Sequence, residues 1–176
     1  GKSISHGTAA LEYDLAKEID GQTAAIEIAR HELYGCTGAE MVQEMKPYHI
    51  DFPNVKNNCL RFEVSPSIEE SATFTDADWA ELGNDFMQRM GLANHQYIII
   101  RHSGTESKKE QAHLHILANR VSLSGELYRD NWIGKKATEA ANAIAKERNF
   151  VQSQDIGKVN KAEIKEAMDG VLKKMQ

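Results

Sequence analysis

Residues 97–121 read YIIIRHSGTESKKEQAHLHILANRV, two apolar runs joined by a polar connection. Aliphatic and β-branched runs bounded by Ser, Gly and charged residues read as strands, expected here over 96–102 and 112–121. The polar segment 103–111 is long enough to return the chain antiparallel beside itself. Residues two apart on a strand share a face, so His113 and His115 project together, and His102 ends the strand next to the one that His113 begins. One choice of register sets all three imidazoles on a common face. Three neutral imidazoles converging at about 2.0–2.2 Å hold a divalent transition metal and leave positions open for water or a substrate oxygen. The alternative is a set of ordinary strand histidines satisfied by backbone or by one another. His6, His31, His49 and His95 lack such neighbours and are read in that ordinary way.

The rest of the chain agrees with a single globular domain. Its 176 residues suffice to bury a core without disulfides or a structural metal. A composition of 41% apolar and 27% charged residues is that of a soluble protein, and no stretch approaches the roughly 20 continuous apolar residues of a membrane span. No charged-then-apolar leader opens the chain, so a cytoplasmic location is expected. Cys36 and Cys59 stand apart rather than in a CxxC pair, which suggests neither a disulfide nor a thiolate zinc site, and both are expected to be at least half-buried. The net charge of −5 argues mildly against nucleic acid, but it is unevenly spread: residues 1–100 carry 7 Lys and Arg against 16 Asp and Glu, residues 101–176 carry 14 against 10. The second half is the better candidate for meeting phosphates.

Working outward, GKSIS at the start suits a short strand. GTAALEYDLAKEID has Leu11, Leu15 and Ile19 at helical spacing, with Thr8 as cap and Tyr13 on the flank away from that stripe. AAIEIARHEL is expected as a strand with Ile26 and Ile28 on one face, a helix being the other reading, ended by Gly35 and Gly38. AEMVQEMK is expected as a short helix. CLRFEVS alternates so that Leu60, Phe62 and Val64 share one face and Arg61 and Glu63 the other. TDADWAELGNDFMQRMG carries a capping box at Thr75 and Asp78, an apolar stripe of Trp79, Leu82, Phe86, Met87 and Met90, and a stop at Gly91. Helices over about 132–148 and 159–175 complete the chain. Hairpin-length connections between strands, with helices interleaved, predict an α+β fold: a central antiparallel sheet of about five strands with helices packed on it.

YIIIRHSGTESKKEQAHLHILANRVSLSGE resembles the third motif of the relaxases, mobilisation nucleases of the HUH endonuclease superfamily. NNCLRFEVSPS resembles the strand that precedes that motif, and ALEYDLAKE the first motif of the same proteins, in the same order, over about residues 3–150. Full-length relaxases are usually longer. The resemblance therefore implies that residues 1–176 are the nuclease domain of a longer protein, with Gly1 non-native. It also implies metal ligation by His102, His113 and His115, nucleophilic attack by Tyr13, and a role for Glu63 either beside an imidazole or at the metal; Glu63 on a merely solvated strand face is the other reading. The implied ion is divalent, Mg or Mn in use, with Zn, Ni or Co also suited to the site. The implied partner is single-stranded DNA at an origin of transfer, with accessory mobilisation proteins as further partners.

The implied reaction is a transesterification: site- and strand-specific nicking and religation through a 5′-phosphotyrosine, which initiates transfer of a plasmid or mobile element. A tyrosine at its ordinary pKa of about 10 is only about 0.1% ionised at pH 7, so its surroundings must ease deprotonation. Tyr34, Tyr48, Tyr97 and Tyr128 are the rival tyrosines. Arg120, Arg129, Lys135 and Lys136, with Trp132 among them, suit phosphate contact and base stacking; a solvated helix start with Trp132 in the core is the other reading. Two other functions fit the same histidines: a metallohydrolase that activates water, and a DNA-binding module without catalysis.

Overall fold

The computed structural model describes residues 1–104 and 111–151. The chain divides into two compact units, Gly1–Ala141 and Asn142–Gln176. In the first, β1 (Lys2–Ile4), β4 (Ala25–His31), β5 (Cys59–Val64), β6 (His95–His102) and β7 (His113–Ser122) form one sheet in the spatial order β1-β5-β7-β6-β4. Every neighbouring pair is antiparallel. Helices α1 (Gly7–Leu15), α2 (Gly38–Met45), α3 (Ile68–Ser71), α4 (Asp76–Arg89) and α5 (Ile133–Glu147) complete the α+β fold, together with a 3-10 turn at Lys46–His49.

Strand alternation explains why the sheet is covered on both sides. From β6 and β7, Ile98, Ile100 and Leu117 turn to one face and pack with Leu11 of α1 and Met41 and Met45 of α2. Ile99 and Leu114 turn to the other, where α4 lies so close that a Cβ on Gly83 would stand 2.7 Å from Ile99 Cδ1. Phe62 of β5 meets Phe86 of α4 edge-on at 5.4 Å between ring centres, and each fully buried ring contributes about 1.5–3 kcal/mol. The Thr75–Asp78 capping box opens α4 as expected. Gly91, at φ +72°, closes it: Leu92 N–H donates to Met87 O and Gly91 N–H to Gln88 O, the paired bonds of a Schellman stop.

Several local expectations are corrected. Helix α1 ends at Leu15 rather than running to Asp20, because Asp20 and Gly21, both at positive φ (53° and 73°), form a tight turn between two short strands, β2 (Glu18–Ile19) and β3 (Gln22–Thr23). Its N-cap is His6 without a side-chain bond, not Thr8, which lies inside the helix. A bulge between Glu27 and Ala29 breaks the alternation of β4 that would set Ile26 and Ile28 on one face, leaving Ile26 exposed and Ile28 half-buried. Gly38 begins α2 rather than ending the strand before it, since Thr37 and Glu40 form a capping box there. Cys36 is exposed, and only Cys59 is buried. The expected helix over 132–148 is α5, beginning one residue later; the one over 159–175 lies outside the described residues. In the second unit, α5 ends near Glu147, where Phe150 N–H donates to Ala145 O at 2.7 Å.

Candidate active site

The β6–β7 register pairs His102 with His113 and Ile100 with His115. Because paired residues share a face, all three imidazoles lie on the α1 side of the sheet. Their ring centres are 5.4 Å (His102–His113), 4.4 Å (His102–His115) and 4.9 Å (His113–His115) apart, and one ring nitrogen of each lies within 4.8 Å of the others. His113 Nε2 stands 3.1 Å from His115 Nε2. Two nitrogens about 2.0–2.1 Å from one ion, at angles of about 90–110°, are roughly 2.9–3.4 Å apart, so this spacing fits a shared metal.

The protonation pattern fits as well. His102 Nε2 donates to the Asp14 carbonyl oxygen at 2.7 Å, which leaves Nδ1 as the open nitrogen of the neutral ring. His113 Nδ1 donates to Gln111 O at 3.1 Å, leaving Nε2 open. Burial lowers the His102 pKa. Burial, with the neighbouring imidazoles and Arg61 adding to it, pushes His115 down to about 3. Both shifts, on His102 and His115, favour the neutral ring, the form in which imidazole ligates a metal.

Asp14 ties this cluster to α1. It is 1% exposed, and its carboxylate takes a forked pair of bonds from Arg61, Nε at 3.2 Å and the terminal nitrogen at 2.5 Å. Its Oδ1 lies 3.9 Å from His115 Nδ1, with the Arg61 guanidinium 3.4 Å from the same nitrogen. Burial pushes the Asp14 carboxyl upward, while the hydrogen bonds and charge of Arg61 pull it down. At that distance the carboxylate makes no hydrogen bond to His115; Asp14 reaches His115 through the Arg61 guanidinium that it holds, and reaches His102 through its own carbonyl. Neither Asp14 nor Arg61 was expected in this role. The signal was in the pattern: Asp14 falls between Leu11 and Leu15 on the inward stripe of α1, a charge where an apolar residue belongs, and Arg61 faces it from the polar side of β5.

Tyr13, the residue before Asp14, is 59% exposed, and its hydroxyl accepts from Lys17 Nζ at 3.3 Å. Glu63 is the Cα partner of His115 across β5–β7; it is exposed and lines an open cavity of about 200 Å³ with Gly1, Lys2, Arg61, Phe62 and His115. Of the rival tyrosines, Tyr97 lies on the opposite face, where its hydroxyl donates to Asn84 Oδ1 at 2.9 Å. Arg120 directs its donors inward, to Tyr128 O, Asn57 O and Asp130 Oδ1. Arg129 and Lys135 are exposed, as is Trp132, at 80% and in the left-handed region (φ 59°). Lys136 lies 5.2 Å above the Tyr128 ring and donates to Arg129 O at 3.0 Å.

Among the described residues, no helix is long and apolar enough to cross a membrane. No curated protein and no solved structure matches the chain. One protein family does: the relaxases, described as MobA/VirD2-like, nuclease domain, over residues 13–150. That match spans most of the chain, from Tyr13 through the three histidines and α5 to Phe150, and the chain therefore belongs to the relaxase family as a MobA/VirD2-like nuclease domain.

Proposed function

We propose that this domain nicks and rejoins one DNA strand at an origin of transfer, with Tyr13 as nucleophile and His102, His113 and His115 as the holders of a divalent metal. The observation that carries the reading is the bond from His102 to the Asp14 carbonyl, which fastens the turn bearing Tyr13 to the histidine cluster. A divalent ion held by the three imidazoles supplies Lewis-acid polarisation of the phosphate oxygens. The chain's own residues do the rest. Asp14 and Arg61 hold the imidazoles and α1 in one arrangement, which is the positioning that in-line attack requires.

In the reaction, the Tyr13 oxygen forms a bond to phosphorus, the bond from phosphorus to the 3′ oxygen breaks, the phenolic proton passes to solvent and the 3′ oxygen takes one up. The 5′-phosphotyrosine keeps the energy of the phosphodiester, so the 3′ hydroxyl can attack it and reseal the strand. Glu63 lines the open cavity beside His115, which supports a role for it toward a water or a nucleotide group bound there. Arg129, Lys135 and Lys136 would meet phosphates, and Trp132 offers an exposed ring on which a base can stack.

The test is covalent capture with single-stranded oligonucleotides tiling the origin-of-transfer region of the protein's own element, with Mn2+ present. The wild-type chain should form a denaturant-resistant protein–DNA adduct and Tyr13→Phe none, with metal affinity unchanged. Metal-dependent cleavage without an adduct would replace this reading by a water-activating hydrolase. Binding without cleavage would replace it by a DNA-binding module.

A further inference from the structure

We propose that Arg61 is a positioning residue that keeps His115 in the tautomer unable to ligate until the metal enters, whereupon Asp14 replaces it as the partner of that ring; this rests on the three imidazoles being the metal site and not on the identity of the nucleophile. The three rings are not prepared alike. His102 Nε2 donates to Asp14 O at 2.7 Å and His113 Nδ1 donates to Gln111 O at 3.1 Å, so each of these rings keeps its proton outside and turns a lone pair toward the cluster. The outer nitrogen of His115 faces a cation instead. The Arg61 guanidinium lies 3.4 Å from His115 Nδ1, closer than Asp14 Oδ1 at 3.9 Å.

A guanidinium donates and never accepts, so Nδ1 offers its lone pair and the single proton of the neutral ring sits on Nε2. That proton has a taker. His113 Nε2, 3.1 Å away, carries a lone pair because the other nitrogen of its ring holds the proton. The metal-free cluster is thereby closed on itself, and the His115 nitrogen that faces the other two rings is blocked by its own hydrogen. Arg61 is fixed in this place by Asp14, whose side chain is 2% exposed and takes Nε at 3.2 Å and the terminal nitrogen at 2.5 Å.

For His115 to ligate through Nε2, that proton leaves to solvent and another is taken up at Nδ1; the ring stays neutral throughout. The new N–H needs an acceptor, and a cation cannot be one. Asp14 Oδ1 is the acceptor in reach, brought to bonding distance by a shift of ~1 Å. Arg61 has room to yield, since it is partly exposed and already lines the open cavity with Lys2 and Glu63. Loading the site therefore exchanges an Arg61–His115 contact for an Asp14–His115 bond, the pairing in which a carboxylate orients a ligating imidazole.

Long-range proton–nitrogen NMR correlations report which ring nitrogen bears the proton, with the His115 signals identified by their loss in His115→Gln. In chelator at pH 7.5, wild-type His115 should carry its proton on Nε2, and addition of Zn2+ should move it to Nδ1. Arg61→Met should place it on Nδ1 without metal and tighten Zn2+ binding about tenfold, because the contact opposing the ligating tautomer is gone. An arginine that merely supported the site would loosen binding when removed. Because Arg61→Met strands the Asp14 carboxylate, the double variant Arg61→Met with Asp14→Asn is measured beside it and should show the same tautomer. The proposal is overturned by a proton on Nδ1 in metal-free wild type, by Nε2 retained in both variants, or by Zn2+ affinity lowered in both. Zn2+ bound away from the three rings would instead defeat the metal-site reading, and this inference with it.

Discussion

The paired strands β6 and β7 carry buried histidines at both ends, and the two ends use them differently. At one end His95 Nδ1 donates to Asn119 O at 2.9 Å, His31 Nδ1 donates to His95 O at 2.9 Å, and His49 Nε2 donates to Asn119 Oδ1 at 2.8 Å. Asn119, fully buried, passes its amide protons on to Gln96 Oε1 and Met45 O. Every ring there has an acceptor of its own. At the other end two ring nitrogens, on His113 and His115, face each other at 3.1 Å, and at most one proton can lie between them. The first arrangement is a polar girder inside the fold. The second gathers lone pairs toward one point, which is what a cation needs.

The sharpest way to break this comparison is to cut one residue from each end. His113→Ala should abolish metal binding and strand cleavage while changing the urea midpoint little, since the ring's partners in the fold are few. Asn119→Ala should do the reverse, costing about 2–4 kcal/mol by stranding several buried polar groups and leaving metal stoichiometry intact. If Asn119→Ala lost the metal, or His113→Ala unfolded the domain, the two ends would not differ as described.

Asp14 sharpens the same contrast, because it supports the three-histidine end from inside the fold. Asp14→Ala removes one partner of an ion pair whose carboxylate is buried and whose guanidinium is partly exposed. Chemical denaturation should show a loss of about 2–3 kcal/mol, below the range for a fully buried pair. Metal titration should show affinity falling about tenfold, because Arg61 beside His115 loses its partner, while the backbone carbonyl that holds His102 is kept. Unchanged metal affinity would reduce Asp14 to a structural residue.

Acid should affect both ends, by a smaller amount. Burial lowers the pKa of His95 at one end and of His102 and His115 at the other below the ordinary value of about 6.5. The unfolded chain then binds protons that the folded chain refuses, so stability is full above about pH 6.5 and is lost as pH falls below it. In chelator, the urea midpoint should drop between pH 7.5 and pH 5, and His115→Gln should flatten that drop. A midpoint independent of pH in this window would contradict the neutral, buried state of these rings.

The legible parts of the sequence were those where one side chain's direction follows from the strand period. An HxH pair needs only alternation to share a face, and the length of the polar return was enough to set His102 beside it. At the far end His31, His49 and His95 are the ordinary bonded histidines expected, but their meeting was not legible, because they sit on three separate segments, β4, β6 and the turn after α2, that only tertiary packing brings together. The end of α1 was missed for a related reason. The apolar spacing of Leu11, Leu15 and Ile19 continues past the end of α1, and a Gly in the αL turn at Asp20–Gly21 outweighs it, so the chain leaves the helix where periodicity alone would carry it on.

The central claim is that the three imidazoles hold one divalent metal, and anomalous X-ray diffraction from crystals grown with Mn2+ tests it most directly. The predicted result is one strong anomalous peak per chain, bounded by His102, His113 and His115, and missing from His113→Ala crystals treated in the same way. A well-ordered wild-type site with no peak between the three rings, or with the peak elsewhere, would contradict it.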